Sequence, residues 1–445
     1  MHPPRHLIVL LLILPIAFST GCDGGGGNDR GAGSQISDGG SSDDGGTGGD
    51  DGGSPSGFTL ALTFKDKQDQ PVQGMEVLLH EAGGTFRSER TDAEGAASFG
   101  DIGRPQATVT WGYELVDQSG SVEVHKRSLI TAVDIPSGSH VLSCPGNRRM
   151  VPFMMGMLAL PPEVEHITGV LPGITMVVAR GDIKDFTLSF PPLDPQSMQQ
   201  DGRISGLVLL GASSEPLACY NYFEVDPRAT SQPRISLTAH SETSPLDYII
   251  QGGSAQQVTL MLLRKGGILA PRRIGSLTSP GHTSGTLTIP SAFPFEFVGL
   301  SAVQDVDGDR LTVERFYLAA EVPETAFLTL PDFDVADIVN TISSDGRIAW
   351  IASGTTEIDM QEMTLSGGTA TASTSWRWIL PPNVSEVQLP ELSPIYREWA
   401  SAGFGDLQIQ LTDCDTLDNY EEFYTDYGLE LAGKCPERKT GAFQP

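Results

Sequence analysis

LTFKDKQDQPVQGMEVLLHEAGGTFRSERTDAEGAASFGDI, residues 62–102, breaks into short apolar runs divided by turn residues. MEVLLHEA, GTFRSERT and AASFGDI are short runs, as are FTLALTF before them and QATVTWGYEL after them, and several of the five alternate apolar and polar positions. KDKQDQP, AGG, TDAEG and GRP separate these runs. A period of two at regular spacing is the pattern of half-buried strands, and no segment here keeps the 3.6 period of a helix. The stretch therefore predicts an all-β sandwich.

The same texture continues to the end of the chain. GITMVVARG, DFTLSFPP, GRISGLVLLG, QVTLMLLRKG, SGTLTIPS, RLTVERFYLAA, AFLTLPDF, GRIAWIASG and DLQIQLTD are short strand-like runs punctuated by proline and glycine. Nearly 390 residues follow Gly57, more than one hydrophobic core usually spans, so tandem sandwiches are expected. The expected boundaries are 58–144, 145–318 and 319–445. Phe186-TLSFPPLD…DGRI204 and Phe327-LTLPDFD…DGRI348 look alike, which reads as two related sandwiches.

The first module also carries a family likeness. A first strand is followed by a turn with Pro71 and Gly74, an apolar strand from Met75 to His80, and a T-D-x-x-G-x-x-x-F hairpin made by Thr91, Asp92, Gly95 and Phe99. This resembles the carboxypeptidase regulatory-like domains, which have a transthyretin-like β-sandwich. The likeness covers roughly residues 58–115, with Arg104-Pro-Gln-Ala107 where the family carries glycine-tyrosine before its last strand. Asp92 and Gly95 suit a tight hairpin, because glycine takes a positive φ without steric penalty, and Phe99 is expected to point inward. The resemblance implies a structural or adhesive spacer module with no catalytic residues of its own.

Upstream, MHPPRH precedes the apolar run LIVLLLILPIAF and then Ser19-Thr-Gly-Cys22. The run is too short to span a bilayer, which takes roughly 20 residues, and it reads as a secretory signal over residues 1–21. The four residues ending at Cys22 resemble the lipobox of bacterial lipoproteins. That likeness implies an acylated Cys22 at the start of the mature chain and a lipid anchor in the bilayer of the bacterial cell envelope, on the exported side. A plain signal cleaved near Ala17 or Gly21 is the alternative. Asp23 leaves inner and outer membrane undecided. Residues 22–57 are Gly, Ser and Asp with almost nothing apolar, so they cannot offset their own chain entropy. They read as a disordered tether with a reach of roughly 30–35 Å.

The net charge of −28 argues against nucleic acid and against an anionic membrane surface as partners. Five cysteines leave Cys144, Cys219, Cys414 and Cys435 once Cys22 is acylated, and an even count in an exported chain favours disulfides. Four cysteines allow three connectivities. The short separation of Cys414 and Cys435 favours a local loop, with Cys144 and Cys219 as the other pair.

Few residues bear the marks of chemistry. Asp305, Asp307 and Asp309 alternate around a glycine, with Glu314 further on, a set of hard oxygen ligands that could wrap calcium. The other reading is an acidic hairpin turn. Trp376 and Trp378 face one side of a strand, either as a stacking platform for a sugar or as core. There is no H-E-x-x-H or C-x-x-C for zinc. Gly281-His-Thr-Ser-Gly285, with His282 and Ser284, misses the G-x-S-x-G elbow and its strand-to-helix context. No cofactor is implied beyond calcium. The expected function is a membrane-anchored, non-catalytic protein that binds, adheres or spaces, with a protein or glycan ligand. The competing expectation is an enzyme or accessory subunit acting on envelope polysaccharide.

Overall fold

The computed structural model describes residues 57–149 and 242–444, apart from 67–68, 118–121, 267–269, 281–282, 291–294, 307, 337, 339–345, 402 and 424–434. Between 150 and 241 it describes the backbone of seven strands. Residues 1–56, with Cys22 and the expected tether, lie outside the described residues. The described elements are overwhelmingly strands, so the chain is all-β, built of tandem sandwiches.

The first set comprises β1 (Phe58–Lys65), β2 (Glu76–His80), β3 (Phe86–Arg90), β4 (Ala96–Ile102), β5 (Gln106–Asp117), β6 (Val124–Pro136) and β7 (Gly138–Ser143), then the short β8 (Arg148–Arg149). One sheet runs β4-β1-β7 and the other β3-β2-β5-β6. β1 is antiparallel to β4 and parallel to β7. The hairpin before β4 forms as its residues require. Gly95 has φ +79°, and Asp92 Oδ1 accepts the N–H groups of Glu94 and Ala96 at 3.0 and 2.8 Å. A Cβ on Gly95 would sit 2.5 Å from the Phe64 carbonyl oxygen, so only glycine fits. Phe99 is buried in the core with Trp111 and Phe64.

The same wiring recurs. In the second set, β9 (Met155–Ala159), β10 (His166–Leu171), β11 (Ile174–Ala179), β12 (Asp185–Ser189), β13 (Ile204–Leu210), β14 (Cys219–Val225) and β15 (Arg234–Ser236) form sheets β12-β9-β15 and β11-β10-β13-β14. In the third, β16 (Thr243–Gln251), β17 (Gln257–Gly266), β18 (Ala270–Pro280), β19 (Ser284–Pro290), β20 (Phe297–Val306), β21 (Asp309–Leu318) and β22 (Thr325–Thr329) form β19-β16-β22 and β18-β17-β20-β21. In each of these three sets the first strand is antiparallel to the fourth and parallel to the seventh.

The fourth set is a variant. It holds β23 (Phe333–Ala336), β24 (Arg347–Ala349), β25 (Ile351–Gly354), β26 (Met360–Gly368), β27 (Ala372–Leu380), β28 (Glu386–Gln388), helix α1 (Pro394–Ala400), β29 (Asp406–Cys414), helix α2 (Tyr420–Glu422) and β30 (Glu437–Phe443). Its large sheet, β27-β26-β29-β30, repeats the third-second-fifth-sixth order of the others. The broken strand β24–β25 pairs with β28 through β24 and, antiparallel, with β23 through β25, where the other sets use a parallel seventh strand.

Two expectations change here. The segment 145–318 holds one sandwich and most of another, and the third set closes only with β22, beyond residue 318. Evenly spaced short strands do not mark where one sandwich ends. The likeness between Phe186 and Phe327 also joins unequal places: Phe186 is on the fourth strand of its set and Phe327 on the seventh. The repeat lies in the topology.

The large sheets of the first, third and fourth sets fuse into one path, β18-β17-β20-β21-β30-β29-β26-β27-β6-β5-β2-β3. β30 joins β21 antiparallel, and β27 joins β6 in parallel from Ala372↔His125 to Ile379↔Ala132. The chain thus folds back to dock its fourth sandwich on its first. Parallel pairs are stable when both faces are covered, and they are covered here. On one face Leu78 and Leu129 pack with Trp376, Tyr396 and Trp399. On the other, Met360, Ile379, Leu417, Tyr420 and Phe423 enter the core around Trp111 and Ile130.

Candidate interaction surface

Trp376 and Trp378 do lie on one side of β27, with ring centroids 5.4 Å apart. That side is the interior: they are 2% and 3% exposed. The sugar-stacking expectation is corrected on this ground, because buried rings offer no face to a ligand. The Trp376 indole N–H donates to Thr131 Oγ1 at 2.9 Å, across the β27–β6 seam. Thr131 in turn meets Thr110 at 2.7 Å, and Thr110 meets His80 Nε2 at 2.8 Å. This chain of side chains crosses β2, β5, β6 and β27. Burial pulls the His80 imidazole down to about 4, so it sits neutral in the chain.

The acidic group resolves as a hairpin. Val306 pairs with Asp309 and Asp305 with Arg310, and Gly308 takes φ +103° at the turn. Asp307 lies outside the described residues. Glu314 stands five residues along β21 from Asp309, on the order of 16 Å at strand rise, and pairs with Arg438. The structure does not bring Glu314 to the turn.

Among the described residues, the one group of three His, Cys or carboxylate side chains with ligand atoms within 4.8 Å is Cys414, Asp415 and Cys435. Its two sulfurs are bonded to each other as the expected local disulfide, with Cα atoms 5.7 Å apart, so they are not thiolate ligands. Cys144 is buried, its sulfur 3.5 Å from Met75 Sδ. The side chain of Cys219 lies outside the described residues, and with it the expected second bridge. His282 lies outside them as well, while Ser284 opens β19 as an exposed residue.

Sequence reasoning missed the outward face of the sheet β19-β16-β22. Period two on three adjacent strands sends Leu246, Tyr248, Leu287 and Leu328 inward to the core of the third sandwich. Their neighbours point out, and register arranges them in rows. Ile249 sits beside Phe327, and both are exposed, at 38% and 47%. One step along, Thr286 Oγ1 donates to Asp247 Oδ1 at 2.6 Å. One step the other way, Thr329 Oγ1 donates to Gln251 Oε1 at 3.2 Å. The result is a row of Phe327, Ile249 and the exposed Ser284, apolar on two of its three strands, between two polar rows. Each step is two residues, about 7 Å.

No protein-family model matches the chain, and no curated protein does. Several solved structures align weakly. The Bacillus anthracis TIE protein is 10% identical at a TM-score of 0.15, covering 62% of this chain; the chain spans half of that protein's length. BcpA, the major pilin subunit of Bacillus cereus, is 9% identical at a TM-score of 0.14, covering 61% of this chain and 98% of its own. The shaft pilin SpaA from Lactobacillus rhamnosus GG is 10% identical at 0.12, covering 61% and 97%. Scores this low carry no argument about function. No helix among the described residues is long and apolar enough to cross a membrane.

Proposed function

We propose that this chain is an envelope lipoprotein, anchored through acylated Cys22, whose sandwiches hold a non-catalytic binding or adhesive surface away from the membrane. The observation that carries this reading is the repetition of one sandwich topology along the chain, with the fourth copy docked on the first. The first and fourth copies share one sheet and their cores. A Gly/Asp/Ser tether behind a lipid anchor would let the folded body sweep the space above the bilayer. The carboxypeptidase regulatory-like likeness of residues 58–115 supports the same spacer role.

The experiment compares the full chain with Cys22→Ser in the bacterium that makes it. The wild type is expected in the membrane fraction, beginning at Cys22 with a diacylglyceryl mass, and beads coated with the mature chain are expected to bind cell-surface or extracellular material. Cys22→Ser is expected in the soluble fraction. A wild-type chain with an unmodified N-terminus would contradict the anchor. Coated beads that capture nothing would contradict the binding role.

A further inference from the structure

From the outward face of β19-β16-β22 we infer a binding platform for a neutral polysaccharide, a ligand class that rests on the binding role proposed above. The rings of a sugar chain are amphipathic, with C–H faces between belts of hydroxyls. The platform has the complementary order. Ile249 and Phe327 form the apolar row. Thr286 with Asp247 and Gln251 with Thr329 form hydrogen-bonding rows to either side. The Asp247 carboxylate accepts hydroxyl protons in charge-assisted bonds, the stronger kind. Gln251 can donate through its amide as well as accept.

Charge selects the kind of chain. The protein carries −28 overall, and β16, β19 and β22 carry no Lys or Arg: the three strands read TSPLDYIIQ, SGTLTIP and TAFLT. An anionic polysaccharide would meet the Asp247 carboxylate with no Lys or Arg on these strands to offset it, and the nearby Arg315 is already paired with Glu437, so repulsion disfavours it. A neutral chain meets no such barrier. The backbone of the platform is already firm, since Arg315 Nη1 donates to the Phe327 carbonyl at 3.0 Å and secures the edge strand.

The test is affinity electrophoresis of the full mature chain in gels containing neutral polysaccharides (an α-glucan, a β-glucan and a galactomannan) or an anionic one (alginate). Phe327→Ala, Asp247→Ala and a control, Phe58→Ala at an exposed aromatic of the first sandwich, are run beside it, with folding checked by circular dichroism. Retardation by at least one neutral polysaccharide is expected. Phe327→Ala should weaken it at least tenfold and Asp247→Ala severalfold, and Phe58→Ala should leave it unchanged. No retardation by any neutral chain, equal retardation by alginate, or retardation that survives Phe327→Ala would each overturn the platform. So would a concentration-dependent dimer in sedimentation that Phe327→Ala abolishes, because a second copy would then be the occupant. If coated beads bind their surface equally well with Phe327→Ala, the platform falls and the wider binding role stands.

Discussion

Trp376 and Thr131 lie 245 residues apart in the chain, and their side chains share one hydrogen bond across the seam between the fourth and first sandwiches. Both are buried, so neither finds water if the other is removed. A buried donor or acceptor left alone costs about 1–3 kcal/mol.

That pair can be measured by a double-mutant cycle. Trp376→Phe and Thr131→Val should each lower the free energy of unfolding, and the double variant should lose about 1 kcal/mol less than the two losses summed. Urea midpoints give the numbers. Strict additivity would mean that the two strands do not meet there.

The disulfide should matter through the segment it closes. Tyr420 lies inside the loop from Cys414 to Cys435, and its hydroxyl lies 3.0 and 3.1 Å from the carbonyl oxygens of Val133 and Ile379. It spans both strands where their parallel pairing ends. Loss of the 21-residue closure should lower stability by about 3 kcal/mol on the chain-entropy account. Reductant should bring the wild type and the Cys414→Ser/Cys435→Ser variant to one common midpoint, with the larger fall in the wild type. A wild type indifferent to reductant would count against the role of the loop.

Two buried groups should pull stability in opposite directions between pH 4 and 6. Asp359 accepts the Cys414 N–H at 2.7 Å, and burial, the largest cause, raises its carboxyl to about 6. Its folded pKa exceeds the unfolded one, so its contribution is full at low pH and lost as pH rises through about 6. His80 is the reverse case. Its folded pKa of about 4 lies below 6.5, so its contribution is full above 6.5 and lost as pH falls through about 4. The His80 shift is worth about 3 kcal/mol at its limit, and the Asp359 shift less, because solvent screens its carboxylate in part. Relative to wild type, Asp359→Asn should lose stability on acidification from pH 6 to 4, and His80→Gln should lose it as pH rises from 4 to 6. Denaturant midpoints at pH 4, 5 and 6 check both. Slopes equal to wild type would contradict the burial of these groups.

The hairpin at Asp92, Gly95 and Phe99 was legible because its causes are local: a carboxylate two to four residues from its partners and a glycine forced to positive φ. The spacing of Trp376 and Trp378 correctly placed them on one side of a strand. Which side could not be read, because the residues that bury it, Leu129 of distant β6 and Trp350 and Val387 of the small sheet, meet it only in the fold. The acidic run before Arg310 was equally ambiguous, since ligand spacing and hairpin alternation share a period of two. The platform around Phe327 escaped notice because its rows exist only once three strands are in register. Sandwich boundaries failed for a related reason: similar strands recur at similar intervals, and pairing alone decides which belong together.

The central claim is that the first and fourth sandwiches form one folded unit through β6 and β27. Hydrogen exchange on the full chain, wild type against Trp376→Ala, tests it most directly. Truncating a buried tryptophan costs about 3–5 kcal/mol, enough to register in every strand of a shared unit. The amides of β6, 245 residues away in sequence at Thr131, should lose protection together with those of β27, while β17 in the third sandwich keeps most of its own. Loss confined to β26, β27 and β29, with β6 protected as in wild type, would contradict the fusion of the two sandwiches.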